Sequence, residues 1–330
     1  MGKVCRLDVN GDTIPVNRGD LLLDAALLGG IEIPHDCRSG HCGTCRVRVL
    51  HGRVYGGHSD DPETVYACQS RIVSDLRIAV DDVPEVATMP GTVSELRSLA
   101  TDICEVSIET IKPLNYLPGQ YYVVQFRGFP ARCFSPTSAL DWPYDENAVR
   151  FHIRQVPNGR VSSQLGKEIR AGHRVKLEGP FGSAYLRSLP GRRFVLVASG
   201  TGFAPIWSIA EAAIKSDPRR EMVLIVAARN LHNLYMAPAL CRLALFPRVT
   251  IIPVVSEHQD VTAAVRHGMP TDYIPTLTQD DVVFAAGAPE MVRAAARIAA
   301  AADAKCYCDP FEAAPRSDAG NWFARAIGGN

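Results

Sequence analysis

Cys37-Arg-Ser-Gly-His-Cys42-Gly-Thr-Cys45, answered further along by Ala67-Cys68-Gln69, decides how the first part of this chain folds. Three thiols at C-x4-C-x2-C with a remote fourth have the ligand spacing of a plant-type [2Fe–2S] cluster. A loop that wraps two irons must deliver three sulfurs within a few residues and turn its N–H groups toward the bridging sulfides. Ser39, Gly40, Gly43 and Thr44 provide the permissive backbone for that. Zinc sites favour two close cysteine pairs, and only Cys42–Cys45 makes one. A Rieske centre needs C-x-H, but Ser39 and Thr44 stand two residues after Cys37 and Cys42. Disulfides would call for a secretory setting. The spacing therefore predicts cluster ligation by Cys37, Cys42, Cys45 and Cys68, while the other six cysteines read as small buried apolar residues.

Working outward, 330 residues are too many for one small core and predict two or three domains. The charge balance, 35 basic against 35 acidic side chains, argues against a nucleic-acid partner. Met1–Val9 is charged and lacks the apolar stretch of a secretory leader, and Arg6 disfavours myristoylation. The longest uncharged run, Phe194 to Ala210, carries Gly200, Gly202 and Pro205 and is shorter than the ~20 apolar residues of a membrane span. The expectation is a cytoplasmic monomer with no membrane association.

Residues 1–84 are expected to form the cluster domain. Asn10-Gly11 between Val4–Val9 and Asp12–Val16 signals a hairpin, Leu21–Leu28 a short helix stopped by Gly29-Gly30, and Arg46–Leu50 with Arg53–Tyr55 a second hairpin. Short strands around one helix suit a β-grasp ferredoxin. With nine basic and twelve acidic residues this part has a net charge of −3. The Pro-bearing stretch Val83–Gly91 reads as a linker, placed at 85–91. Residues 92–188 carry short strand-like runs, at 102–110, 121–126, 149–156 and 174–178, broken by Pro118-Gly119, Asn158-Gly159 and Gly179-Pro180; they predict an antiparallel barrel. From 189 onward the runs 194–198, 222–227, 250–255 and 281–285 are continuously apolar and separated by helical stretches, including an alanine-rich one at 294–302. This predicts a parallel α/β sheet.

Three further motifs carry chemistry. Arg132-Cys-Phe-Ser135 follows Pro118-Gly-Gln-Tyr-Tyr122 and combines a cation for phosphate, a flat face for a flat ring and a hydroxyl. Asn158-Gly159-Arg-Val-Ser162 reads as a hairpin turn followed by a helix N-cap at Ser162. Ser199-Gly200-Thr201-Gly202-Phe-Ala-Pro205 follows an apolar strand, and its paired glycines permit close approach of a dinucleotide phosphate.

With these motifs in this order, residues from about 4 to 311 resemble the reductase components of bacterial aromatic oxygenases, in the ferredoxin–NADP reductase superfamily. The resemblance implies FAD, with Arg132 on its phosphate, Phe134 packed on the flavin, Ser135 at the ring nitrogen that accepts hydride, and Gly159 and Ser162 at the pyrophosphate. It implies nicotinamide binding by Gly200, Thr201, Gly202 and Pro205. The segment Ala286-Gly287-Ala288-Pro289 stands where the family usually has Cys-Gly-x-Pro, so Gly287 and Pro289 match while Ala286 lacks the thiol. In Tyr307-Cys-Asp309-Pro-Phe311, the carboxylate's role falls to Asp309 and that of the aromatic covering the flavin to Phe311.

The implied activity is an NAD(P)H-dependent iron–sulfur flavoprotein reductase whose cluster passes electrons to a Rieske ring-hydroxylating dioxygenase, directly or through a small ferredoxin. The alternatives are the reductase of a di-iron monooxygenase, a nucleotide-sugar deoxygenation reductase, and a non-enzymatic iron–sulfur redox sensor. NADH is favoured by the resemblance. Arg229, after the second strand of the last domain, leaves NADPH open.

Overall fold

A computed structural model describes residues 4–35, 38–40, 45–59, 63–80, 84–139, 148–187, 189, 191–257 and 264–312. Cys37, Cys42, Gly43, Thr44 and the tail beyond residue 312 lie outside them. The chain falls into two compact units, the first holding residues 1–84 with 181–183 and the second residues 85–180 with 184–312.

In the first unit, Asn10 and Gly11 take positive φ angles, the geometry that a two-residue hairpin demands. They join the strands Val4–Val9 and Asp12–Asn17 in register. Val4–Val9 then pairs in parallel with Leu76–Ala79, which pairs antiparallel with Arg46–His51, and that strand with Thr64–Tyr66. The helix Leu22–Leu28, ended at Gly29, contributes Leu22, Leu23, Ala25 and Ala26 to a core with Leu7, Val47, Ile72 and Ile78. This is the β-grasp arrangement. The second expected hairpin is absent: Arg46–His51 and Val54–Tyr55 do not pair with each other, and Val54–Tyr55 makes a separate short ladder with Arg71–Ile72. Gly52 turns the chain away from Arg46–His51, held so tightly that a Cβ there would lie 2.0 Å from the Asp75 carbonyl oxygen.

The second unit begins with a correction. Residues 87–91, expected as linker, open the fourteen-residue strand Ala87–Ala100 and pair with Arg174–Phe181, from Ala87↔Gly179 to Gly91↔Val175. Pro90 and Gly91 suggested a break. However, Arg174–Phe181 pairs with both and Ile103–Thr110 with Gly91, which holds them extended. Among the described residues the barrel sheet runs Arg132–Phe134, Tyr121–Phe126, Arg174–Phe181, Ala87–Ala100, Ile103–Thr110, Ala148–Arg154, Pro136–Thr137. Its two edges are consecutive in the chain, with only Ser135 between them. The sheet thus curls almost shut around Val93, Val106, Ile108, Phe126, Phe151 and Leu177.

The third sheet is parallel throughout, in the order Arg266–His267, Val249–Val255, Met222–Ala228, Phe194–Ser199, Val282–Gly287, Lys305–Pro310. Phe194, Leu196 and Ala198 face a core with Phe203 and Trp207, while Val195 and Val197 face Met291 and Ala295. Burial of both faces explains the unbroken apolar runs. The short edge strand Arg266–His267 and the opposite edge Lys305–Pro310 had not been expected. The helices Phe203–Ser216 and Pro289–Ala301 follow the two central strands, the latter starting earlier than its alanine run suggested.

Candidate functional site

Cys45 and Cys68 are both buried, and neither takes part in a disulfide. Cys45 immediately precedes strand Arg46–His51, and Cys68 is the middle residue of the short 3-10 turn Ala67–Gln69. The two segments are stitched together by Ala67 N–H donating to the Cys45 carbonyl at 2.9 Å. Gln69 Nε2 donates to the carbonyls of Arg38 at 2.9 Å and Cys68 at 3.0 Å, bridging the two halves of the motif. Two buried thiols brought together from remote segments fit the second half of a cluster cradle. Arg46 reaches the Tyr66 hydroxyl at 3.4 Å, and Arg38 pairs with Asp24 at 3.5 Å, so both arginines beside the motif are engaged.

In the barrel, register places Tyr122 opposite Phe134, and Val124 opposite Arg132. Arg132 and Phe134 therefore share one face and Cys133 turns to the other. Phe134 packs on Phe151 with ring centres 6.3 Å apart. Partial burial, together with the positive charge of Arg160, lowers the pKa of Arg132. Two like charges near enough to repel, one of them half-buried, fit an anion such as a phosphate, the planar recognition that arginine provides. Arg160 was missed in the sequence because its partner lies on a remote strand.

The cap at Ser162 is not formed. Ser162 begins a 3-10 turn, Ser162–Gln164, and its hydroxyl turns back to accept from Val156 N–H at 3.1 Å. A side chain at Gly159 would crowd this turn, since a Cβ would lie 2.7 Å from the Ser162 hydroxyl oxygen and 3.0 Å from the Val156 carbonyl oxygen.

The parallel sheet reverses its strand order between Phe194–Ser199 and Val282–Gly287. Ligands of open parallel sheets bind in the crevice at such a switch point, beyond the carboxyl ends of the strands. Both glycine motifs end here, and they touch. A Cβ on Gly202 would stand 2.2 Å from the Ala286 carbonyl oxygen, and one on Gly287 would stand 2.4 Å from that of Ser199. Ala288 N–H donates to Ser199 Oγ at 2.9 Å. Gly202 and Gly287 thus let the two turns pack together. Gly200 opens the Gly200–Gly202 turn with φ +56°, and Pro205 lies in the first turn of the helix Phe203–Ser216. Pro289 opens the helix Pro289–Ala301. Arg154, from the end of barrel strand Ala148–Arg154, lies against Gly200, where an added Cβ would be 2.6 Å from Nη2. The cation beside this turn was also missed, although Arg154 lies within the strand-like run 149–156, as a charge at the last position of its strand.

The barrel and the sheet meet at Ser135. Its hydroxyl donates to Asp309 Oδ2 at 3.4 Å across 174 positions of sequence. Burial pushes the Asp309 carboxyl up to about 7, against a downward pull from the Ser135 bond. Phe311 follows the same strand, tied by its N–H to the Gly287 carbonyl at 2.7 Å. A hydroxyl and a carboxyl able to hold a proton near neutrality are therefore paired here, with the Phe311 backbone beside Gly287.

Residues 6–73 match the family described as a 2Fe-2S iron-sulfur cluster binding domain, residues 91–185 an oxidoreductase FAD-binding domain, and residues 196–297 an oxidoreductase NAD-binding domain. The chain is 34% identical over 305 residues to the ferredoxin–NAD(P)(+) reductase component of the naphthalene 1,2-dioxygenase system of Pseudomonas putida, covering 86% of this chain and 90% of that one. It is 33% identical to the xylene/toluene monooxygenase electron transfer component of Pseudomonas putida, over 86% of each chain. Among solved structures, the ferredoxin reductase of carbazole 1,9a-dioxygenase superposes with a TM-score of 0.64 at 26% identity, covering 94% of this chain and 99% of that one.

Proposed function

From the premise that the chain belongs to the iron–sulfur flavoprotein reductases that serve oxygenase systems, we propose that it draws electrons from a reduced nicotinamide, NADH in preference, and delivers them singly to a separate oxygenase or its ferredoxin. FAD would supply the exchange between two-electron and one-electron chemistry, and a [2Fe–2S] cluster the one-electron exit. Cys37, Cys42, Cys45 and Cys68 hold the cluster. Arg132 with Arg160 binds the flavin phosphate, Phe134 packs on the flavin, and the Gly159–Ser162 turn flanks the pyrophosphate. Gly200, Thr201, Gly202 and Pro205, with Gly287 and Pro289, shape the nicotinamide crevice, and Arg154 places a cation at its phosphate turn. Ser135 orients its hydroxyl toward the reacting edge, Asp309 holds or releases a proton beside it, and Phe311 shields the site from water.

The observation that carries this reading is the Ser135–Asp309 contact, which joins the flavin barrel to the edge strand that pairs with Val282–Gly287 in the nucleotide sheet. The client we favour is a Rieske ring-hydroxylating dioxygenase. A di-iron monooxygenase is the second reading, favoured by the similarity to the xylene/toluene monooxygenase component. Among the described residues no helix is long and apolar enough to cross a membrane. We place the chain in the cytoplasm as a monomer, in keeping with cysteines that form no disulfides among the described residues.

The test compares the full chain with a fragment starting at Glu85, which keeps the whole strand Ala87–Ala100. The fragment should retain FAD and reduce ferricyanide with NADH, and lose electron delivery to a protein acceptor. Delivery undiminished without residues 1–84 would refute the cluster as exit.

A further inference from the structure

Away from the cofactor-facing residues, a polar cluster is buried between the barrel and the nucleotide sheet. His152, on strand Ala148–Arg154, has a side chain fully removed from solvent. Its Nε2 lies 3.3 Å from Glu105 Oε2, and its Nδ1 lies 3.1 Å from the Tyr235 hydroxyl. Glu105 faces His152 across the adjoining strand and pairs with Arg97 at 3.0 Å. An ionised carboxylate only accepts, so Nε2 carries the ring proton and Nδ1 accepts from the tyrosine. Burial lowers the pKa of the ring despite the adjacent carboxylate, which keeps it neutral. Burial opposes the charge on Glu105, but the His152 bond and the charges of Arg97 and Arg150 outweigh it.

Tyr235 belongs to the segment after Met222–Ala228, the second strand of the nucleotide domain. Its ring stands edge-on to His152 at 5.2 Å and to Phe203 at 6.0 Å, and Phe203 begins the helix after the Gly200–Gly202 turn. A second tie runs alongside. Asn233 Nδ2 donates to Asp102 Oδ1 at 2.7 Å, and Asp102 Oδ2 faces Arg154 Nε at 3.4 Å, with Arg154 against Gly200. Both routes start on the barrel and reach the segment after the second strand. On a parallel sheet these are the places where a dinucleotide rests: pyrophosphate at the first strand-to-helix turn, and adenosine ribose beyond the end of the second strand. An apolar pair could fill the same space. Hydrogen bonds at both ring nitrogens add a fixed orientation, because leaving either buried group unpaired is costly.

We propose that His152 and Tyr235 are positioning residues for the nicotinamide dinucleotide, holding from the flavin barrel the loop at 229–236 that receives its adenosine half. This rests on the nicotinamide-binding reading above. It is tested in the full-length protein loaded with FAD and cluster, by stopped-flow reduction of the flavin with NADH and with reduced nicotinamide mononucleotide, which lacks the adenosine half. Tyr235→Phe removes one hydroxyl and should raise the half-saturating NADH concentration about threefold to tenfold, with the limiting rate changed by less than about twofold. His152→Phe should do the same or more, and His152→Gln, which keeps a donor and an acceptor, should restore most of the loss. Reaction with the mononucleotide should be unaffected in all three. Unchanged NADH saturation in both Tyr235→Phe and His152→Phe, or equal losses with NADH and the mononucleotide, would overturn the positioning role. A wild-type flavin that neither NADH nor NADPH reduces would instead overturn the nicotinamide reading itself.

Discussion

Replacing Asp309 by asparagine should remove the dependence of flavin reduction on pH near neutrality. With the carboxyl pushed up to about 7 by burial, Asp309 is mostly protonated at pH 6 and mostly ionised at pH 8. In the neutral form its O–H can donate to Ser135, leaving the serine hydroxyl to point at the flavin edge. In the ionised form the carboxylate takes the Ser135 hydroxyl as its donor, the contact seen at 3.4 Å. If the neutral form is the competent one, a group titrating at about 7 is ~90% protonated at pH 6 and ~10% at pH 8, so hydride transfer should slow about tenfold across that interval. Stopped-flow reduction at saturating NADH measures this directly. Asp309→Asn should give a flat profile. Ser135→Ala should reduce the rate and move the inflection upward, because the Ser135 bond is what pulls the Asp309 value down. Stability follows the same linkage. The folded FAD-free chain keeps a proton that the unfolded chain releases from about 3.8 upward, so stability falls as pH rises from there through about 7. The loss is at most about 4 kcal/mol, reduced by the partial exposure of the side chain, and Asp309→Asn should not show it. A wild-type rate that is level from pH 6 to 8, or an Asp309→Asn profile with the same inflection, would refute the reasoning.

The remaining expectations concern the cofactors. Iron and acid-labile sulfide should each be found at two per chain, and Cys68→Ser should lose the cluster's visible absorption while flavin absorption stays; zinc in anaerobically purified protein would contradict the ligand set. Arg132→Ala and Arg160→Ala should each weaken FAD retention by roughly 1.5–3 kcal/mol, the usual worth of a hydrogen bond to a charged group, read by equilibrium dialysis of the flavin. Normal retention in both would show that the phosphate lies elsewhere.

Much of this molecule could be read from local sequence, for physical reasons that differ by region. The cysteine spacing of the iron–sulfur domain lies mostly within a few residues, so the domain matched at 6–73 is legible locally. The parallel sheet buries both faces, and its central strands stand out as apolar runs such as Phe194–Ala198. The Asn10-Gly11 turn needs left-handed backbone at both positions, and that residue pair is the usual solution. Where partners are remote, local reading failed. Pro90-Gly91 looks like a linker but is held as strand by neighbours from 108–110 and 174–179. Arg46–His51 and Val54–Tyr55 look like a hairpin but find partners elsewhere. Ser162 has the side chain of a helix cap, yet its hydroxyl bonds to Val156 instead. The role of Gly202 and Gly287 in packing two turns against each other appears only when both strands lie side by side. The pairing of Ser135 with Asp309 and of His152 with Tyr235 was decided by tertiary structure alone. Each pair joins side chains whose distance in space is set by sheet order and barrel closure, quantities that no single stretch of sequence contains.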